Sequence, residues 1–366
     1  MQKLSIIGTM TIILITHLAA VKPEDLKSVK VARLTETLRI TDEAGDFAFK
    51  RPRRIKVAPD GSIFVSESKA LFKFTTQGTF VKNFIKIGEG PSELKNFINF
   101  FFAKDGIVTA SYMPVKIILS SLAGTLNREF TVFKAQIFTS LLSVINDKYY
   151  FNYSKMRSRD LKTGINKNEN QIIYCDPKGS LHQTGIKFTT TSALIKQTTE
   201  DGRTLIAMDE ITRLLTAFDH HNNQLFAVHE ARYAIDRFDL NSYKNLGQIK
   251  RPYQPVPYTN KPPEGQFDTK IEKIKNREFY NDIYAIRIYD GKLLVFTSKM
   301  DKKKRVLVDV FSTAGTFKDR FYLKIPRVER PDDLHRKPMY FEKGYFWTTD
   351  MDEDDNPIVI KYKMEI

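Results

Sequence analysis

Apolar residues in this chain fall in short runs broken by turn residues, not in stripes at helical spacing. One arrangement recurs: an apolar run, an Asp-Gly pair or its equivalent, and a second apolar run. It reads Val57-Ala58-Pro59-Asp60-Gly61-Ser62-Ile63-Phe64-Val65 at its first occurrence. It returns around Asp105-Gly106, Asn146-Asp147-Lys148, His221-Asn222-Asn223, Asp290-Gly291 and Lys343-Gly344, each between apolar stretches. Such pairs tolerate the positive φ that a two-residue hairpin needs, so each copy predicts a tight antiparallel hairpin. A second pattern follows: strand, Gly-Thr turn, strand. It is clearest in Phe74 to Phe84 around Gly78-Thr79, in Ser120 to Phe130 around Gly124-Thr125, and in Phe311 to Phe321 around Gly315-Thr316.

Together the two patterns make units of four antiparallel strands. The first copies recur at the ~40–50 residues expected of a propeller blade. The later copies are wider apart and require insertions. Two are visible, the polar, threonine-rich 189–209 and the proline-rich 251–281. The second carries Pro252, Pro255, Pro257, Pro262 and Pro263, too many for a central strand, and then a short helical pattern over 268–275. The sixth unit stops at Tyr362, one strand short, while the segment Val31 to Ile40 has a strand to spare, with Leu34, Leu38 and Ile40 as its apolar positions. An open ring would expose two sheet edges. The fold expected is therefore all-β: a six-bladed β-propeller, four antiparallel strands per blade, closed by the N-terminal strand joining the last blade.

Residues 1–20 stand apart. Lys3 precedes an apolar stretch over Leu4 to Leu18, Ala19-Ala20 follow, and the chain then turns polar, the three-part pattern of a secretory signal peptide. The domain reading is a signal peptide over 1–20 and one propeller domain over 21–366. No cysteine follows the apolar stretch, which excludes a lipoprotein anchor, and no later stretch approaches the ~18–20 apolar residues of a membrane span. The destination expected is periplasmic or secreted, with no stable transmembrane anchor.

Composition narrows the function classes. The 366 residues carry a formal net charge of +15, with 42% hydrophobic residues and a strand-favouring load of 27 Phe and 16 Tyr. One Cys and six His exclude a disulfide framework and leave little for a multi-histidine metal centre. Cys175 closes the run Ile172-Ile173-Tyr174 and reads as a buried, inert thiol. In an exported chain this basicity suggests a protein or an anionic polysaccharide or envelope component as partner, with no nucleic acid expected. Oligomeric state is not legible.

Two segments carry a family resemblance. Arg51 to Ser66, reading Arg-Pro-Arg-Arg-Ile-Lys-Val-Ala-Pro-Asp-Gly-Ser-Ile-Phe-Val-Ser, resembles the opening of an NHL-type repeat. Ile87-Gly88-Glu89-Gly90-Pro91-Ser92-Glu93-Leu94 is similar to the Gly-x-Gly-Pro-Gly-Glu linker of exported bacterial six-bladed β-propellers, with Ser92 in place of the last Gly. The resemblance implies that fold and export. Its relatives by fold include TolB-like propellers, gluconolactonase-type hydrolases and NHL-domain lyases, so it implies no single activity.

Candidate chemistry is dispersed. Gly88 to Pro91 lacks the Gly-Lys-Ser/Thr of a phosphate loop and reads as an inter-blade turn, with Glu89 its one binding candidate. Asp350, Asp352 and Asp354 alternate as hard-cation ligands do, but Asp355 and Lys361 stand where a Ca²⁺ loop needs Gly and Glu, so they are weak metal candidates. Adjacent His220 and His221 do not share a strand face and are not a chelating pair. His229-Glu230-Ala231-Arg232 is the best polar cluster after a second strand. Blade assignment puts Arg53, Arg54, Tyr112, Tyr153, Arg157 and Arg232 toward one face. Glu67, Asn152, Glu230 and Asp350, from different blades, are the only groups available to a catalytic channel, and they match no known set. The reading is an exported, non-enzymatic binding propeller without a required cofactor, binding through Arg53, Arg54, Glu67, Glu89, Tyr112, Tyr153, Arg157, His229 and Arg232. The alternative is a metal-dependent, lactonase-like hydrolase or a lyase with its site at the central channel.

Overall fold

The computed structural model describes residues 29–42, 45–112, 114–132, 139–159, 165–198, 204–259 and 278–366. The expected leader over 1–20 and the expected helix over 268–275 lie outside them.

The fold is a six-bladed β-propeller with four antiparallel strands per blade. Blade 1 comprises Arg54–Val57, Ile63–Ser66, Leu71–Phe74 and Phe80–Asn83, and blade 2 comprises Phe97–Ala103, Gly106–Ser111, Lys116–Ser120 and Leu126–Thr131. Blade 3 has Thr139–Ile145, Lys148–Arg159, Ile165–Cys175 and Leu181–Thr198. Blade 4 has Leu215–Asp219, Gln224–Val228, Ala234–Asp239 and Asn245–Lys250. Blade 5 has Ile283–Tyr289, Lys292–Met300, Arg305–Ser312 and Phe317–Lys324, and blade 6 has Met339–Glu342, Tyr345–Met351 and Pro357–Glu365.

The hairpin turns form where the pairs predict them. Asp290 and Gly291 have φ of 48° and 64°, and Asn146 and Asp147 have 49° and 59°, the double positive φ of a turn whose twist matches the strands. Gly106 has a sharper reason to be glycine: a Cβ there would stand 2.0 Å from the carbonyl oxygen of Ser120.

The ring closes through the N-terminal segment. Arg33–Ile40 pairs antiparallel with Pro357–Glu365 as the outer strand of blade 6, and Lys30–Val31 just before it adds in parallel to the outer strand of blade 5. The pairing slips register between Glu36 and Leu38. In a strand, residues two apart share a face, and such a slip exchanges the faces. So Leu34 packs on the core between blades 5 and 6, while Leu38 and Ile40 join the core between blades 6 and 1. One strand thus serves two interfaces. Among the described residues the core divides into six clusters, and each sits between two neighbouring blades.

Blade 3 departs from its neighbours. The threonine-rich stretch expected as an insertion is strand: its first part extends the fourth strand to Thr198, and Thr204–Glu210 pairs with that extension as a fifth strand. Threonine is β-branched and suits a pleated, half-buried surface, which is why a polar run there remains ordered sheet. The described part of the proline-rich segment, 251–259, joins no sheet, makes an isolated bridge between Pro257 and Phe279, and lays Tyr253 and Tyr258 against the cores flanking blade 5.

Closure by the first strand predicts an asymmetry along it. Ile40→Ala, at a position only 2% exposed, is expected to cost about 2–5 kcal/mol. Arg39→Ala on the exposed side of the same strand should stay within about 0.5 kcal/mol. Urea denaturation of the two variants checks this; equal effects would mean that the strand does not complete the ring's core.

Candidate functional site

The inner strands line the central channel, and those of blades 1 and 5 place cations there. Arg54 and Lys56 alternate with Ile55 and Val57 on blade 1, so the two cations share the face that the apolar pair does not use. Arg287 interrupts Ile286 and Ile288 on the inner strand of blade 5. None of the three has a carboxylate partner among the described residues. Arg287 donates only to backbone, to the carbonyls of Ile286 at 2.8 Å and Met339 at 3.3 Å. Lys56 lies over the ring of Phe101, its Nζ 3.8 Å from the centroid.

Their electrostatics follow from that crowding. Burial, and then the repulsion of Arg54, push the Lys56 ammonium down to about 7 and the Arg287 guanidinium down to about 10. Arg54 is lowered as well, by burial and then by Arg53. Arg54 keeps an accessible surface along the channel, yet the walls hem it in, so water reaches it without solvating it fully. His220, whose Nε2 is 3.1 Å from Ser143 Oγ, is likewise lowered by burial and by Lys56. Uncompensated positive charge thus accumulates in a confined channel.

A buried carboxylate of blade 5, by contrast, is paired. Asp309, fully buried, lies 3.0 Å from Arg251 Nε and 3.3 Å from Arg320 Nε, and accepts a hydrogen bond from the Tyr233 hydroxyl at 2.8 Å. That network fastens blade 4 to blade 5. Nearby Asp282 accepts from the backbone N–H of Tyr233 at 2.9 Å and is pushed up to about 6 by burial.

A cavity of about 540 Å³ opens beside the channel at the end carrying the inter-blade loops. The over-long strands of blade 3 form one wall. One end of the sheet is apolar, where Tyr149 pairs with Cys175 and Phe151 with Ile173 in the core. Beyond it the inward positions turn to amides and hydroxyls: Asn152 and Ser154, then Asn168 and Asn170, then Thr190 and Ser192. Side-chain bonds cross the strands, Asn152 to Asn170 at 3.0 Å, Asn170 to Thr190 at 2.8 Å and Asn168 to Ser192 at 3.0 Å. Asn152 Oδ1 is buried without a hydrogen-bond partner. Arg287 and Tyr284 line the opposite side, and Leu334 and His335 of the 3-10 helix Pro331–Arg336 complete it. Glu210, the carboxylate of the lining, is held 2.7 Å from Arg213 Nε.

The residues singled out from sequence are spread over this molecule. Arg54 alone among them enters the channel. Arg53 is exposed and donates to Ser68 Oγ at 3.3 Å. Glu67 is structural: both its oxygens accept the backbone N–H of Arg51, and burial raises its pKa. Glu89 is exposed and pairs with Lys95 at 2.5 Å. Tyr112 follows the second strand of blade 2, where its backbone bonds Asn96. Tyr153 points to the opposite face of its strand from Asn152 and packs on the core between blades 2 and 3. Arg157, also away from the cavity, pairs with Glu169 at 2.9 Å. His229 ties blade 3 to blade 4: its Nδ1 lies 3.2 Å from the Thr189 carbonyl and its Nε2 3.1 Å from Asp236. Both partners are acceptors, and the Asp236 bond raises its pKa. Arg232 is exposed on the same loop.

The acidic loop is engaged internally. Asp350 faces Arg327 at 3.2 Å, and Asp352 accepts the backbone N–H groups of Asp354 and Asn356. Among the described residues no group of three or more His, Cys, Asp or Glu converges as a metal site, and no helix is long and apolar enough to cross a membrane.

Comparison with known proteins agrees with the fold. The profile of the family DUF5128, described as 6-bladed beta-propeller, matches residues 25–207. A structure of a DUF4221 family member from Bacteroides vulgatus is 10% identical, with coverage of 92% of this chain and 99% of that one and a TM-score of 0.54. A candidate exported protein from Bacteroides fragilis is 12% identical, with coverage of 92% and 96% and a TM-score of 0.52. At such identities the likeness is one of fold. No curated protein matches the chain.

The unpaired Lys56 sets a pH dependence. Its folded value of about 7 lies below its ordinary 10.5, so between those limits the unfolded chain binds more protons and stability rises with pH. Lys56→Met is expected to melt above the parent at pH 7, with the gap closing toward pH 10. Thermal denaturation across that range checks it, and a gap that is constant or widens with pH contradicts the placement of the amine.

Proposed function

The chain belongs to the six-bladed β-propeller family DUF5128, and from that premise we propose that it is an exported binding propeller that captures an anionic ligand at the channel mouth and does no chemistry on it. The observation that carries this reading is the set Arg54, Lys56 and Arg287, three cations in a confined channel with no carboxylate partner among the described residues. Holding such charges unpaired is costly to folding. A bound anion removes that cost, and the affinity of the site grows from the same desolvation. The blade 3 wall of the neighbouring cavity supports binding over catalysis, because it offers amides and hydroxyls, which do not titrate, and the cavity's carboxylate Glu210 is held by Arg213.

A recessed ligand is favoured over a docked protein by the surface. Among the described residues the exposed large apolar side chains come from several blades, Val81 on blade 1, Met156 on blade 3 and Phe317 on blade 5 among them, whereas a protein interface is marked by one contiguous apolar patch. Export is supported by the leader pattern of 1–20 and by the likeness to a candidate exported protein. Periplasmic or secreted residence, and an NHL-type origin for the blade 1 opening at Arg51 to Ser66, belong to the same reading.

Inorganic sulfate is the simplest probe. Arg54→Gln and Arg287→Gln are each expected to weaken its binding by roughly tenfold, the loss of about one charged hydrogen bond. Arg157→Gln, which removes a rim charge already paired with Glu169, should leave it unchanged. Calorimetric titration reads all three, and a double Arg54→Gln, Arg287→Gln variant that binds sulfate like the parent would sink the proposal.

A further inference from the structure

Resting on the reading of the channel mouth as an anion site, we infer that the cavity beside it recognises a hexuronate unit, a sugar ring that carries a carboxylate. Two sets of groups meet in this one space. Arg287 stands on the channel side, its guanidinium bonded only to carbonyls of Ile286 and Met339. Across from it stands the amide and hydroxyl wall of blade 3. A carboxylate meets an arginine through charge-assisted hydrogen bonds. Vicinal hydroxyls each donate and accept, and only groups that do both in a fixed array match them.

Asparagine is such a group, and here it is held in order. Asn152, Asn170 and Thr190 bond in sequence across three strands, and Asn168 bonds Ser192 beside them. The chain of bonds orients each amide without using all of its capacity. Asn152 lines the cavity, and its Oδ1 lies buried behind that surface without a partner. Asn166, 1% exposed, lies on the same strand face as Asn168 and Asn170, and neither of its amide atoms has a partner. A buried unsatisfied amide is costly to the fold, and Asn152 and Asn166 place such groups on the second and third strands of one blade. The imidazole of His335, tilted by 40° against Tyr284 at 4.7 Å, offers a ring surface on which the C–H face of a pyranose rests. At about 540 Å³ the cavity lies within the range of small-molecule sites, and it holds a ring that a bare inorganic anion would leave mostly unfilled.

The test titrates the whole chain by calorimetry with galacturonate, trigalacturonate, neutral maltotriose and inorganic sulfate, each repeated on Asn168→Ala and Asn168→Gln. Both uronates should bind. Maltotriose should bind at least about tenfold more weakly, lacking the carboxylate. Asn168→Ala should weaken the uronates roughly tenfold and leave sulfate unmoved, with partial recovery in Asn168→Gln. A trimer that binds more tightly than the monomer assigns the uronate to a chain end, and equal affinities assign it to the free acid. If sulfate binds as tightly as the uronates and Asn168→Ala shifts neither, the sugar assignment is overturned while the anion site stands. If neither the uronates nor sulfate bind, both fall. The ranking of ligands on the unsubstituted chain decides the matter even where a variant does not fold.

Discussion

Six small sheets bury their faces only against one another, and that constraint governs this molecule. No blade has a core of its own: each apolar cluster lies between two blades. The interface between blades 6 and 1 forms only when the chain's ends meet. Arg33–Ile40 makes that junction, and the register slip after Glu36 turns its apolar side chains from one interface to the next. The parallel pairing of Lys30–Val31 with blade 5 ties the same segment a second time. Closure removes the sheet edges that an open ring would present and fixes the distance across the channel, which is what allows side chains from blades 1 and 5 to influence each other.

That rigidity explains how the fold tolerates Arg54, Lys56 and Arg287 so close together. A flexible loop would swing like charges apart or toward water. Strand positions with apolar neighbours on both sides, Ile55 and Val57 in one case and Ile286 and Ile288 in the other, deny that escape. The contrast with Asp309 is instructive, since there Arg251, Arg320 and Tyr233 surround the carboxylate and the charges cancel within the wall. The same chain therefore neutralises charge where it fastens blades and leaves it unneutralised where the channel opens.

Much of the architecture was legible because hairpins need particular residues. Asp290-Gly291 and Asn146-Asp147 announce positive φ, and the apolar runs beside them set strand direction, so blade count and closure follow from the linear pattern. The site was harder to read. Cations in clusters, such as Arg157 near Lys155, drew attention, but clusters at the surface find partners, as Arg157 does in Glu169. The informative cations are the isolated ones within apolar strands, Lys56 and Arg287. Arg54 was singled out, but only together with Arg53, Tyr112, Tyr153, Arg157 and Arg232 as residues of one face. His229 and Glu67 looked functional because they are polar residues near loops, and both are spent on holding backbone and neighbouring blades. The wall of blade 3 did carry a signal, the alternation Asn166-Lys167-Asn168-Glu169-Asn170. It alternates amide with charge and not apolar with polar, so it shows none of the hydrophobic periodicity that marks a strand, and the threonine-rich stretch that follows it is easily taken for an insertion.

Building the wall from extended strands and not from loops has a thermodynamic consequence. Loop side chains lose freedom when a ligand arrives, and each ordered rotamer subtracts from affinity. In blade 3 the backbone ladder continues past the core, from Tyr153 opposite Gln171 to Arg159 opposite Asn166, so the amides occupy positions fixed by the sheet. Their mutual bonds fix their orientation as well. The entropy is lost once, on folding, and the interblade cores compensate for it. A ligand that meets Arg287 on one side and this ordered wall on the other then encounters groups already in place, which is the condition under which a few hydrogen bonds give selectivity between a hydroxyl-bearing anion and a bare one.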